Sequence, residues 1–242
     1  MKVFITDGTA EAFFTAVFDA YCERDCIISS DRQIQLALDS QTVCVDKDMQ
    51  KCQRVLSAVE NCDRYAADDL VLALRSCNPK KEQIAFDYIK KLLQIKRPIR
   101  KRLSLTEVIA LNNLLYKVTG EAHRLKGLLR FMENADGILY APYSPDNNIT
   151  DILMRHFAER LKCERFVIHD VRRKIAGMYD GKSWIMGYAD QAEICLSANE
   201  IAFVNLWKKY YKAVNIEERP HEKQMKGSMP VRYWKFLPEK QQ

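Results

Sequence analysis

Residues 165–188 read RFVIHDVRRKIAGMYDGKSWIMGY. Three short runs in it, RFVIHDV, KIAGMY and KSWIMGY, are rich in β-branched and aromatic residues. Asp180-Gly181, between the last two, is a strong two-residue hairpin turn, because such turns need backbone conformations that Gly and Asp adopt readily. The stretch predicts an antiparallel meander. Upstream of it, from about residue 46 to 134, apolar residues recur at helical spacing. Downstream a single helix is expected from Ser197 to about Val214. Helices first, then neighbouring strands, then a helix point to an α+β fold, helix-rich, with the meander in the C-terminal half. They argue against a doubly wound parallel sheet.

Outward from the meander the remaining elements follow. Lys2–Thr6 is a short strand. Thr9 caps a helix to about Glu23, with Phe13, Phe14, Val17, Phe18 and Tyr21 on its apolar side. IQLAL and TVCV, around Asp39-Ser40, are two β-type runs that can form a hairpin. Asp46 caps a helix to about Val59, and others run from about Asp63 to Cys77 and from Pro79 to Ile95. KRPIRKR is a basic break, since Pro98 disfavours helix at Arg97. The longest helical pattern begins at Ser104 or Thr106 and runs to about Asn134, with Gly120 marking a kink or a boundary between two helices. ILYAPY is a strand, and a helix follows from Ile149 to about Leu161. The reading is one α+β domain over residues 1–242, with a helical subdomain at about 46–134. Residues 215–242 form a tail strapped on its surface.

The chain has 242 residues, 48% of them hydrophobic and 29% charged, enough for a substantial core. No window approaches a membrane span, and the N-terminus does not read as an export signal, so a cytoplasmic location is expected. The eight cysteines read as free thiols. Cys22 and Cys26 lack the third cysteine that a cluster motif would place where Ser29 stands, and the others are too scattered for a zinc site. No metal and no cofactor is expected. Phosphate-binding loops, dinucleotide fingerprints and hydrolase elbows are missing.

The net charge of +6 is unevenly placed. Residues 1–75 carry 8 basic and 13 acidic groups, residues 96–132 carry 9 and 2, and residues 205–242 carry 9 and 4. Basic blocks interleaved with aromatics are the footprint of phosphate binding and point to nucleic acid. Solvated helix faces give the same pattern. In GEAHRLKGLLRFMEN, residues 120–134, helical geometry puts His123, Lys126, Arg130 and Asn134 on one stripe beside Gly127. That makes an anion-contact surface or a solvated face. In the meander, Phe166, Ile168 and Asp170 share a strand face, with Asp170 beside Arg172 and Arg173. Asp170 is a structural ion-pair partner or an orienter of arginine for phosphate. In the tail, Arg219, His221, Lys223, Lys226, Arg232 and Lys235 interleave with Tyr233 and Trp234. The rings read as strapping, some of the cations as phosphate contacts.

Four blocks carry a resemblance. DGTAEAFFTAVFDAY, GEAHRLKGLLRF with ADGILYAPYSPDNNI, RHFAERL with FVIHDVRRKIAGMYDG, and MPVRYWKFLPE occur in the order found in a bacterial family of DNA metabolism or repair proteins. The chain resembles that family over most of its length, loosely over 25–105, and departs from it at Pro220-His221. Members are typically encoded beside a radical-SAM DNA-repair-like protein. In some, a similar region is joined to a uracil-DNA-glycosylase-like domain. The resemblance implies DNA and a radical-SAM protein as partners, and a role in DNA repair or modification. Residues expected at nucleic acid are Arg124, Lys126, Arg130, Arg172, Arg173, Arg219 and Arg232. Three roles stay open: a DNA-binding accessory protein, a repair enzyme for base removal or strand cleavage, and a scaffold whose acidic segment docks the partner. The enzyme reading rests on His123 as acid and on Asp170 or Asp146 as base, and it requires His123 and Asp170 in one cleft.

Overall fold

The computed structural model describes residues 1–31, 40–190, 195–197, 199–214 and 222–241. The fold is α+β, as the element order predicts, and the chain gathers into two compact units, Met1–Thr119 and Gly120–Gln242.

The first unit begins with β1 (Lys2–Ile5), α1 (Ala10–Ala20), β2 (Cys26–Ser29) and β3 (Gln41–Cys44). β1 lies between β2 and β3, and both pairings are parallel. The hairpin expected around Asp39-Ser40 is therefore not how TVCV is used, since this run aligns with β1. IQLAL lies outside the described residues. β2 escapes the sequence reading because four residues between Arg24-Asp25 and Ser30-Asp31 are too short to show a period. Thr9 caps α1, its hydroxyl accepting from the Ala12 N–H. Asp7 accepts from the Thr9 hydroxyl and N–H, and lies 3.0 Å from Lys47. These bonds hold its carboxyl down to about 2. The turn thus completes a helix cap.

α2 (Met49–Cys62), α3 (Ala66–Ala73), α4 (Lys81–Ile95) and the start of α5 (Thr106–Leu128) complete this unit. α2 is capped by Asp48, two residues beyond the expected Asp46, through bonds from the Gln50 and Lys51 N–H groups. Phe4, Phe13, Phe14, Val17, Ile28, Phe86, Ile89 and Leu92 are buried in one core with Val108, Leu111 and Leu114. The division between units falls inside α5, which runs unbroken through Gly120.

The second unit holds β4 (Met132–Glu133), β5 (Leu139–Tyr143), α6 (Thr150–Arg160), β6 (Phe166–Asp170), β7 (Ile175–Tyr179), β8 (Trp184–Tyr188), α7 (Glu200–Val214) and α8 (Glu222–Ser228). Two 3-10 turns, Val231–Phe236 and Pro238–Lys240, follow. The sheet order is β4-β5-β6-β7-β8. The meander β6–β7–β8 is antiparallel as expected, and Gly181 in its turn has φ +95°. β5 and β6, joined through α6, are parallel. The predicted helix to Asn134 ends early. Leu129 donates the last α-type bond, to Leu125, and Met132–Glu133 then pair with β5. α6 packs on the face carrying Phe166 and Ile168. A Cβ on Gly177 would lie 2.4 Å from Met154 Cγ and Sδ, so the close approach of this helix requires glycine there. The tail packs into the unit through Tyr233 and Leu237, both almost fully buried.

Candidate functional site

The parallel pair β5–β6 ends at Tyr143 and Asp170, which are register partners. Ligand sites in sheets with parallel strands gather at such carboxyl ends, where loops leave the strands together. Here residues 144–149 lead from β5 to α6, and two buried carboxylates hold them in place.

Glu121 of α5 is the first. It is 1% exposed. Its side chain accepts from the Asp146 N–H at 2.9 Å, the Asn147 N–H at 2.8 Å and the Asn147 side-chain amide at 2.6 Å. The Tyr233 hydroxyl donates to it as well, and Arg232 Nη2 lies 3.4 Å away. Burial raises the Glu121 carboxyl, but the Tyr233 hydroxyl and the loop donors outweigh it and hold the group below its usual range. The same burial, with Glu121 accepting its proton bond, pushes the Tyr233 phenol well up.

Asp170 is the second, with no exposed surface. One oxygen accepts from the Arg172 and Arg173 N–H groups, each at 3.1 Å, and closes the turn after β6. The other accepts from Arg173 Nη1 at 2.9 Å. The same guanidinium donates to the carbonyls of Pro145 and Asp146. Arg173 thus ties the end of β6 to the loop after β5.

The rim of this cluster is open to solvent. The Asp146 carboxylate sits between Arg232 Nη2 at 2.9 Å and Arg172 Nη1 at 3.9 Å. The side chains of Arg172, Arg232 and Asp146 are 62%, 46% and 36% exposed. Two partly free arginines flank a carboxylate whose backbone is fixed from below. Such a rim offers planar donors to an anionic ligand or a carboxylate to a polar one.

The other expected residues fall elsewhere. His123 is exposed on α5. It lies two residues past Glu121, about 200° round the helix, so it points away from the cluster. Asp170 is sealed and fully bonded. The two are not brought into one cleft, and the version of the enzyme reading built on them as a pair is withdrawn. The His123–Asn134 stripe is broken as well, because the helix ends at Leu128. Arg130 donates to Glu239 at 2.7 and 3.2 Å and lies over the Trp207 ring, whose Nε1 donates to the same carboxylate. Asn134 Oδ1 accepts from the Asp136 and Ile138 N–H groups to close a turn. Around Gly127 no described residue lies within 4 Å of where a Cβ would be. Arg130 and Arg173 are thus structural cations.

Arg124 folds back over Gly120, with Nη1 3.7 Å from where a Cβ would stand and with no partner for its buried Nε among the described residues. Lys126 is partly buried. Burial, together with the charges of Lys126 and Arg160, keeps His156 below its usual value. Arg219 and His221 lie outside the described residues. No group of three or more potential metal ligands occurs among the described residues, and no helix there is long and apolar enough to cross a membrane.

Glu121 was given no role from the sequence, though a signal existed, and Tyr233 was read there only as a ring that straps the tail. On the helical wheel Glu121 falls on the stripe of Leu114, Val118 and Leu125, all buried. A carboxylate in an apolar stripe must find donors elsewhere in the fold.

A family model described as a domain of unknown function, DUF4130, matches residues 79–239, and the chain belongs to that family. No curated protein and no solved structure shows significant similarity to it.

Proposed function

We propose that this DUF4130 chain binds DNA and serves in its repair or modification, with a radical-SAM protein as partner. The observation that carries the reading is the rim at the β5–β6 end. Arg172 and Arg232 remain accessible there, while the carboxylates beneath them are internally satisfied. Guanidinium groups with a fixed base are well suited to phosphate oxygens, because little side-chain freedom is lost on contact. Lys126 and Arg124 add positive charge in the same unit. The role in a repair cassette comes from the resemblance in GEAHRLKGLLRF, the SPDNN loop, FVIHDVRRK and MPVRYW, four segments that meet in this cluster. A uracil-DNA-glycosylase-like fusion, implied for some relatives, would fit the same role.

Binding to labelled DNA, followed by anisotropy across a salt series, tests the reading. Affinity is expected to fall steeply with salt, with a log–log slope that reflects the number of phosphates contacted. Absent or salt-insensitive binding, for the chain alone and with its partner, refutes it.

A second reading makes the chain a repair enzyme with Asp146 as general base or charge stabiliser. It is favoured by the exposure of Asp146 between two arginines, where Asp170 is sealed. Asp146→Asn would then abolish processing of damaged DNA and leave binding intact.

A further inference from the structure

The two edges of the second sheet are treated differently. Along β4, residues 195–197 cover the edge. Ala135 donates to the Cys195 carbonyl at 2.8 Å, Ser197 donates to the Glu133 carbonyl at 3.0 Å, and Asn134 bridges to Leu196. At the other end β8 pairs with β7 only, and among the described residues no strand pairs with its outer side. Protected edges carry charge, proline or a bulge. β8, WIMGY, has none of these. Its side chains are open as well: Ile185 is 61% exposed, Met186 38% and Tyr188 75%, with Met178 of β7 at 44%.

The direction of its backbone groups follows from the ladder. Asp180 donates to the Ser183 carbonyl and Ala189 to the Lys174 carbonyl. In an antiparallel pair the inward residues alternate. Ser183, Ile185, Gly187 and Ala189 therefore bond to β7. Trp184, Met186 and Tyr188 turn their N–H and C=O groups outward.

We propose that β8 is the interface of a homodimer, in which two copies pair their β8 strands antiparallel across a twofold axis at Met186. This register joins the outward groups to one another, Trp184 with Tyr188 of the second copy and Met186 with Met186. It sets an aromatic pair at each side of the axis, a favourable cross-strand combination. It also brings Lys182 opposite Asp190 of the other copy at both ends, so the interface is complementary in charge as well as in hydrogen bonding. Asp190 is held in place by Lys174 at 2.6 Å, with about half of each side chain exposed. Gly187 gives independent support. Among the described residues nothing lies within 4 Å of where its Cβ would be, so their packing does not require glycine. In the dimer Gly187 faces Ile185 of the partner copy, in the closer, non-hydrogen-bonded type of pair. The inference rests on the sheet alone and does not depend on the nucleic-acid reading.

Sedimentation velocity of the full chain, from about 1 µM to several hundred micromolar, tests it. The expected result is a concentration-dependent dimer. Met186→Pro removes an outward N–H without touching the bonds to β7, as prolines at sheet edges do. It is expected to stay monomeric with an unchanged circular dichroism spectrum. Lys182→Glu is expected to weaken dimerisation by about tenfold, since it turns two attractions into repulsions, and Lys182→Glu with Asp190→Lys to restore it. If the proline variant does not fold, the charge swap decides. A wild type that is monomeric throughout overturns the proposal. So does a folded Met186→Pro variant that dimerises normally, a charge swap without rescue, or a monomer that takes up an extended peptide along β8 instead.

Discussion

Replacing Glu121 by Gln probes the loop that forms the rim. The Glu121 carboxylate serves two groups of donors. One oxygen takes the Asp146 N–H, the Tyr233 hydroxyl and Arg232, and the other takes the Asn147 N–H and its side-chain amide. A glutamine offers one oxygen and one NH2. With the oxygen toward Asp146, the NH2 meets both Asn147 donors. With the amide turned over, the Tyr233 hydroxyl can rotate to accept, but the Asp146 N–H loses its acceptor. Either way at least one buried backbone donor is orphaned, at about 1–3 kcal/mol, and the remaining bonds lose their charge-assisted strength. The expected loss is about 3 kcal/mol, which moves a urea midpoint by about 1–2 M. The assay is selective because all three tryptophans, Trp184, Trp207 and Trp234, lie in Gly120–Gln242, so their fluorescence follows that unit.

A pH series adds a second readout. Burial raises the Glu121 carboxyl, but its hydrogen bonds bring the folded value below the ordinary 4.5. The folded state therefore holds its proton less tightly than the unfolded state. This contribution is fully present above the unfolded value and is lost as pH falls through the folded one. The Gln variant is expected to lack that acid limb. A midpoint shift below about 0.3 M, or an acid limb equal to that of the wild type, refutes the assignment of Glu121 as the post that holds the loop.

Asp170→Asn keeps an oxygen for the Arg172 and Arg173 N–H groups but turns an NH2 toward the Arg173 guanidinium. It is expected to cost about 2–4 kcal/mol in the same fluorescence assay, since it leaves a partly buried cation unpaired. Gly177→Ala is expected to cost about 1–3 kcal/mol by forcing Met154 aside. Its combination with Met154→Ala should cost less than the sum of the two single changes, measured as a double-mutant cycle. Arg172→Ala is expected to leave stability within about 0.5 kcal/mol, because its ion pair is long and exposed. On the DNA-binding reading it lowers the salt slope by about 1, measured by anisotropy.

The helices and the C-terminal meander were legible because their determinants are local. β6, β7 and β8 follow one another within 23 residues, so alternation and a Gly turn suffice to pair them. The early end of α5 was not legible, because Leu129–Glu133 continue an apolar pattern. Only the pairing of Met132 and Glu133 with β5 turns them to strand. The parallel pairs, β1 with β2 and β3, and β5 with β6, were hidden for a related reason. Each joins segments separated by a crossover, and no local signal carries the register of such a pair.

The sequence by itself determined the α+β class, the cap at Thr9, the turn between β7 and β8, and the uneven charge. The tertiary structure decided which charges remain available. Arg130 and Arg173 look like free cations in the sequence, yet one is bound to Glu239, 109 residues away, and the other to the sealed Asp170. Glu121 sits in an apolar helical stripe, and the group that meets its charge, the Tyr233 hydroxyl, lies 112 residues on. A buried charge must be met by donors or counter-charges. Because folding supplies these from distant parts of the chain, only the folded structure identifies Arg172, Arg232 and Asp146 as the groups left at the rim.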